Sequence, residues 1–267
     1  MISGGVIADF ISAEFKHTKI KTHNLYHLTS AKSKISSHSL TLTATAEALL
    51  YDRDFSECYM RWGQKNTIVD FDSATEFWLL QCDLNYMQES SESGAAVRAT
   101  VIGTLDISMQ DMLSLATESC RCTHNSEEAI TSAKVVCSVI NAARRNASQE
   151  EITEYLTEFN YYVSHDYVEL EQNLNENSNA KNVVLAAIYI AFNAKNWEGA
   201  VRLSIGLFGF HDVNAIMIIA SMIKSQTADV SEYYKKQTEQ YLFKNNQSVL
   251  QIMSEFQHKK WTLELPF

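Results

Sequence analysis

The sequence predicts an all-α fold, and three features support this prediction. Helix-breaking residues are scarce, because the 267 residues include 8 glycines and one proline, which stands next to the last residue. Apolar residues recur at helical spacing along most of the chain. Hydrophobic residues make up 46% of the total, which is enough to build a substantial core. Because no linker rich in proline, glycine or serine divides the chain, we expect one compact domain over residues 1–267.

The apolar pattern locates helices in order along the chain. The expected helices span residues 5–16, 40–51, a short segment around 58–62, a segment beginning at 95, and then 107–121, 126–145, 149–161, 183–193, 197–207, 212–225 and 230–244. The clearest start is Ser126, because a serine cap followed by Glu127 and Glu128 complements the helix dipole.

Three segments lack a clear helical period. Residues 17–39 are rich in Ser, Thr, His and Lys, which is typical of a surface loop. Residues 67–88 mix aromatic and acidic side chains without a period, so we expect little helix there. Residues 167–179 are acidic and rich in asparagine, and we expect them to form an exposed connector.

Charge and hydropathy exclude two classes of partner. The formal net charge of -10 argues against nucleic-acid binding, which needs a concentrated basic surface, and favours a basic protein partner. The longest apolar runs fall short of the ~20 residues that span a bilayer, and Asp9 interrupts the only stretch that resembles a leader. We therefore expect a cytoplasmic protein that does not enter membranes. The five scattered cysteines fit reduced thiols better than a disulfide framework.

Four blocks, in order, resemble segments of the ADP-ribosylglycohydrolase family. Residues 39–50 (SLTLTATAEALL) resemble the helix that follows the family's T-D-D-T motif. Residues 93–103 (SGAAVRATVIG) are similar to its G-N-G-A-A-M-R segment, and residues 119–130 resemble the stretch in which Thr-His precedes a long helix. Residues 197–216 resemble the region leading into its G-G-D-T-D-T motif.

The resemblance covers about residues 3–226 and leaves residues 227–267 unassigned. It implies an all-α domain whose relatives bind two Mg²⁺ ions in a central cleft and cleave the glycosidic bond between ADP-ribose and a protein side chain. It also implies an ADP-ribose pocket, whose candidate residues are Ser93, Gly94, Arg98, His124 and Gly209.

The acidic magnesium ligands of that family are largely missing. The aligned positions are Asp9 and Lys16 in the first motif, Ser36, Ser37, His38 and Ser39 in the second, and His211, Asp212, Val213 and Asn214 in the third. Two divalent ions bring four positive charges, which neutral side chains cannot balance, and Lys16 adds repulsion. We therefore expect no magnesium and no hydrolysis by the family mechanism.

Several of these residues have two interpretations. His38 and His211 form a transition-metal site with Asp9 or Asp212 if the fold brings them together, or else they are hydrogen-bonded residues left by drift. Arg98 either binds a phosphate or holds an acidic neighbour, and the second is favoured. For His124, its place before a helix indicates a capping or packing role.

Three function classes follow from the resemblance. The favoured one is a catalytically inactive member that binds a protein, most directly an immunity protein that blocks the active site of an ADP-ribosyltransferase toxin. The alternatives are an ADP-ribosyl-protein hydrolase with a rebuilt site, and a non-hydrolytic ADP-ribose or nucleotide reader or effector.

Overall fold

The computed structural model describes residues 2–15, 27–66, 69–164, 166–207 and 212–259. Within these residues the chain forms α-helices and one short 3₁₀ turn and contains no β-strand, which confirms the predicted all-α class. The helices are α1 Ser3–Ser12, α2 Ser37–Tyr51, α3 Phe55–Lys65, α4 Ser73–Gln81, α5 Gly94–Ile102, α6 Met109–Arg121, α7 Glu127–Arg144, α8 Gln149–Leu156, α9 Tyr167–Glu176, α10 Ala180–Asn193, α11 Trp197–Ile205, α12 Val213–Lys224, α13 Glu232–Asn245 and α14 Gln247–His258.

Helix α12 lies at the centre of the bundle. Nearly all of its residues are buried, and it packs against α1, α10 and α11 on different sides. A helix that is apolar all round belongs in a core, whereas α3 and α6, with one apolar stripe each, lie at the periphery. The result is a continuous hydrophobic core that includes residues of α1 through α14.

Helices α5 and α7 pack with their backbones in close approach. A Cβ atom added to Gly103 would lie 2.7 Å from the carbonyl oxygen of Cys137. Only glycine fits at this crossing, so the crossing fixes the position of α5, whose N-terminus reaches the candidate site.

Polar caps start most of the helices. Ser126 accepts a hydrogen bond from the backbone N–H of Ala129 at 3.2 Å, which confirms the predicted start of α7. Ser148 and Glu151 form a reciprocal capping box at α8.

Two predicted non-helical segments are wrong. Helix α4 lies within residues 67–88, because Asp72 caps it and Trp78 anchors it in the core, although its other residues have no clean period. Helix α9 replaces the expected connector of residues 167–179, since Asp166 caps it and Leu170 and Leu174 bury one narrow stripe. In both helices a cap and a few buried side chains outweigh weak periodicity.

Other boundaries shift by smaller amounts. The helix predicted over residues 149–161 ends at Leu156 and continues as the 3₁₀ turn Thr157–Phe159. Helix α14 lies in the segment that the family resemblance left unassigned, and it packs against α2 and α13.

No described helix has the length and hydropathy needed to cross a bilayer. All five cysteines are free thiols, and Cys82 is the exposed one.

Candidate functional site

The beginnings of α2, α4, α5 and α12 meet in one region of the molecule. Three pairs of polar side chains lie there: Asp9 of α1 with the start of α2, Ser93 before α5 with Asp212 before α12, and Asp72 before α4 with His124. The first two pairs bring together motif positions that are distant in the sequence. We therefore take this region as the candidate site.

Asp9 is fully buried and is bound to the start of α2. Its carboxylate accepts hydrogen bonds from the backbone N–H and the hydroxyl of Ser36, both at 2.7 Å. It also accepts two from Ser39, at 3.3 Å from the N–H and 2.5 Å from the hydroxyl. The partly positive N-terminus of α2 adds favourable electrostatics. Asp9 thus has four donors within the protein.

Asp212 is the one acid that the third motif position retains. It adopts a left-handed conformation, with φ of 62°, immediately before α12. Its carboxylate accepts a hydrogen bond from the hydroxyl of Ser93 at 3.2 Å, which joins the starts of α12 and α5. Val213 is buried beside it, and a valine side chain offers no metal ligand.

His124 is buried in a polar cluster between α6 and α7. Its Nδ1 lies 2.7 Å from the hydroxyl of Thr123 and 3.5 Å from a guanidinium nitrogen of Arg98. Burial lowers the pKa of His124 to about 4, and the Arg98 charge acts in the same direction, against the opposite influence of Asp72. The imidazole is therefore neutral at physiological pH.

Arg98 is also buried and does not reach the surface. It donates a hydrogen bond to Thr123 at 2.7 Å and lies 4.4 Å above the ring of Tyr59. Tyr59 covers one face of the guanidinium, and Asp72 is near enough for its pKa to be lowered by the Arg98 charge. This environment favours the structural interpretation of Arg98 over phosphate binding.

Asp72 and Glu92 are two acids that sequence reasoning missed. Asp72 caps α4 by accepting hydrogen bonds from the N–H and hydroxyl of Thr75, at 2.7 and 2.8 Å. Burial alone would raise the pKa of Asp72, but these two hydrogen bonds from Thr75 and the charge of Arg98 lower it. Glu92 accepts a hydrogen bond from Ser73 at 3.2 Å. The only signal for Asp72 in the sequence was its cap pattern, and Glu92 had none.

The described residues settle the placement of some predicted positions. The segment from Ser36 to Ser39 starts α2, and its His38 lies close enough to His124 to lower the pKa of that imidazole. Asn214 follows Val213 on α12. The predicted positions Lys16, Gly209 and His211 lie outside the described residues, so the His38 and His211 pairing stays a prediction.

Two surface grooves, of about 450 and 480 Å³, lie away from this region. The first runs along α2, α3 and α14, and its central acid, Glu47, is paired with Arg53 at 2.8 Å and Arg61 at 2.7 Å. The second lies along α8 and α10. Size alone therefore does not identify the functional site, and the meeting of the motif positions is the better guide.

Comparisons with known proteins agree with the fold and with the family that the sequence resembles. A solved structure described as an "ADP-ribosylglycohydrolase-related protein complex" matches with a TM-score of 0.68 and 16% identity, over 96% of this chain and 95% of that one. At that identity the match shows the fold alone. A search of curated proteins found no significant match. The sequence model of the ADP-ribosylglycohydrolase family matches residues 1–220, so the chain belongs to that family.

Proposed function

We propose that this chain is a non-hydrolytic member of its family that acts by binding a protein. The observation that carries the proposal is the replacement of acids at the start of α2 and α12. Ser37, His38 and Val213 stand where the family motifs have carboxylates, and they cannot balance the charge of two magnesium ions.

The acids that remain support the same conclusion. Asp9 already accepts four hydrogen bonds from Ser36 and Ser39, and it stabilises the α1–α2 junction. Asp212 holds the hydroxyl of Ser93. A metal ion at Asp9 would compete with four hydrogen bonds that hold α1 against α2.

An exposed apolar surface lies next to this region. We call it the apolar rim; it consists of Phe77, Leu80, Leu84, Tyr86 and Met87, from α4 and the loop that follows it. Leu80 is 74% exposed and Met87 is 54% exposed. Large apolar side chains that are exposed together mark interaction surfaces, because leaving them in water is unfavourable.

The charge around the apolar rim indicates the chemistry of the partner. Residues 66–97 contain no lysine, arginine or histidine, and their acidic residues are Asp70, Asp72, Glu76, Asp83, Glu89 and Glu92. An apolar patch within an acidic border fits a basic protein face with an apolar centre. An ADP-ribosyltransferase is a partner of that kind, since its active site binds the anionic phosphates of NAD.

The proposed role is therefore that of an immunity protein that covers the active site of an ADP-ribosyltransferase toxin. The solved structure with the same fold is described as a complex, and a scaffold that binds another protein is compatible with this role. The alternative of a non-hydrolytic protein that binds ADP-ribose or a nucleotide has less support. Arg98 is buried under Tyr59 and cannot reach a phosphate without rearrangement.

The test is a binding titration with a purified transferase toxin, combined with an assay of the toxin's activity. We expect tight binding and loss of toxin activity. Leu80→Asp should weaken binding by at least ~30-fold, because it places a charge in the apolar rim. Phe243→Asp is the matched control, since Phe243 is 64% exposed on α13, outside the apolar rim.

Two outcomes would count against the proposal. Equal losses for Leu80→Asp and Phe243→Asp would remove the apolar rim as the binding surface. Hydrolysis of ADP-ribosylated protein by the wild-type chain would favour the rebuilt-enzyme alternative instead.

A further inference from the structure

We propose that Asp72, Glu92 and His124 bind one divalent transition-metal ion of the zinc type at the base of the apolar rim. Each residue offers one ligand atom, and the three atoms lie within 4.8 Å of one another. An imidazole with two carboxylates is a common ligand set for such ions, and water completes the coordination. None of the three residues stands at a position aligned with the family's magnesium motifs.

The Nε2 atom of His124 is an independent indication of a ligand. The side chain is fully buried, and Nε2 has no hydrogen-bond partner among the residues that the structure describes. It faces Asp72, with 3.9 Å between Nε2 and the nearer carboxylate oxygen. That distance is too long for a direct hydrogen bond, but an atom bound between the two groups would satisfy both.

The other edge of the imidazole is already oriented. Metal binding at Nε2 requires the tautomer that carries its proton on Nδ1, and Nδ1 lies 2.7 Å from the hydroxyl of Thr123. The Thr123 oxygen can accept that hydrogen bond together with the one from Arg98, because a hydroxyl has two lone pairs. The change of tautomer moves a proton within the ring and needs no net uptake or release.

Gly94 leaves room for the ion. A Cβ atom at this position would lie 3.0 Å from Nε2 of His124 and 3.2 Å from a carboxylate oxygen of Asp72. Every other residue type would therefore intrude between the two ligands. The glycine at the start of α5 keeps this space open.

The charges around the cluster suit a single divalent ion. Two carboxylates balance its charge, and Arg98, a cation among the described residues, lies on the Nδ1 side of the imidazole, away from Nε2. Asp72 keeps 25% of its side chain exposed, which gives the ion a route from solvent.

Such an ion would hold both ends of the apolar rim. Asp72 begins α4, Glu92 ends the loop that follows it, and His124 belongs to the connection between α6 and α7. Metal binding would therefore fix residues 72–92 against the body of the protein. The site itself does not depend on the proposed function.

The test uses the full chain, free of an affinity tag and stripped of metal, and titrates it with zinc chloride by calorimetry. We expect one ion per chain, a rise in melting temperature, and an affinity at least ~10-fold lower for Glu92→Gln. Glu76→Gln is the control with the same change of charge on an exposed first-turn residue of α4, and it should bind zinc as the wild type does.

Cobalt in place of zinc adds a spectroscopic readout, because visible absorption bands report its ligands. Wild type and Cys82→Ser should give the same bands, and Glu92→Gln should alter them. His124→Gln should lose the bands while keeping its helical circular dichroism. Absence of binding, binding unchanged in Glu92→Gln, or loss of binding in Cys82→Ser would each overturn the proposal.

Discussion

Asp9 shows how a residue at a position that the sequence analysis aligns with a metal motif can serve the fold. Its buried carboxylate accepts hydrogen bonds from two serines at the start of α2, including Ser36, which caps that helix. The sequence predicted Asp9 as a former metal position. It did not predict the partners, because they lie far along the chain and no local spacing connects them.

We expect Asp9→Asn to lower the free energy of unfolding by roughly 2 to 4 kcal/mol. The asparagine NH₂ group is a donor, so it cannot accept the hydrogen bonds that one carboxylate oxygen now accepts from the serines. Urea unfolding measures this change. Asp229→Asn is the exposed control, with an expected effect within about 0.5 kcal/mol. Equal stabilities of Asp9→Asn and wild type would mean that the carboxylate does not hold α2.

At the scale of helices, composition and periodicity predicted most of the architecture. Helices α10 and α12 contain so many apolar residues that the sequence pattern predicts both of them clearly. The sequence pattern did not predict helices α4 and α9, because each depends on a cap and a few buried side chains. Such elements are specified by tertiary contacts, which a periodic pattern does not record.

The crossing of α5 and α7 gives a prediction at this scale. Gly103→Ala should destabilise the protein by roughly 2 kcal/mol or more, because the new methyl group meets the backbone of Cys137. Gly199→Ala in α11 is the matched control; its nearest neighbours are side-chain and Cα atoms at 3.3 Å or beyond, so we expect a change within about 1 kcal/mol. Similar melting temperatures for the two variants would contradict the close approach of α5 and α7.

For the whole molecule, motif order predicted which segments meet, whereas the chemistry at their meeting point needed the structure. Ser93 and Asp212 are both motif positions and do lie together. The cluster of Asp72, Glu92 and His124 combines residues from three separate segments, two of which belong to no motif. Sequence reasoning therefore predicted that Ser93 and Asp212 share one region, but it did not predict the polar cluster beside them.

We propose that this member of the family does not hydrolyse ADP-ribosylated protein with magnesium. The most direct measurement is release of ADP-ribose from a modified protein in the presence of Mg²⁺, with an active family member assayed in parallel. We predict release by the active member and none by this chain. Release by this chain that requires Mg²⁺ and stops when the ion is chelated would contradict it.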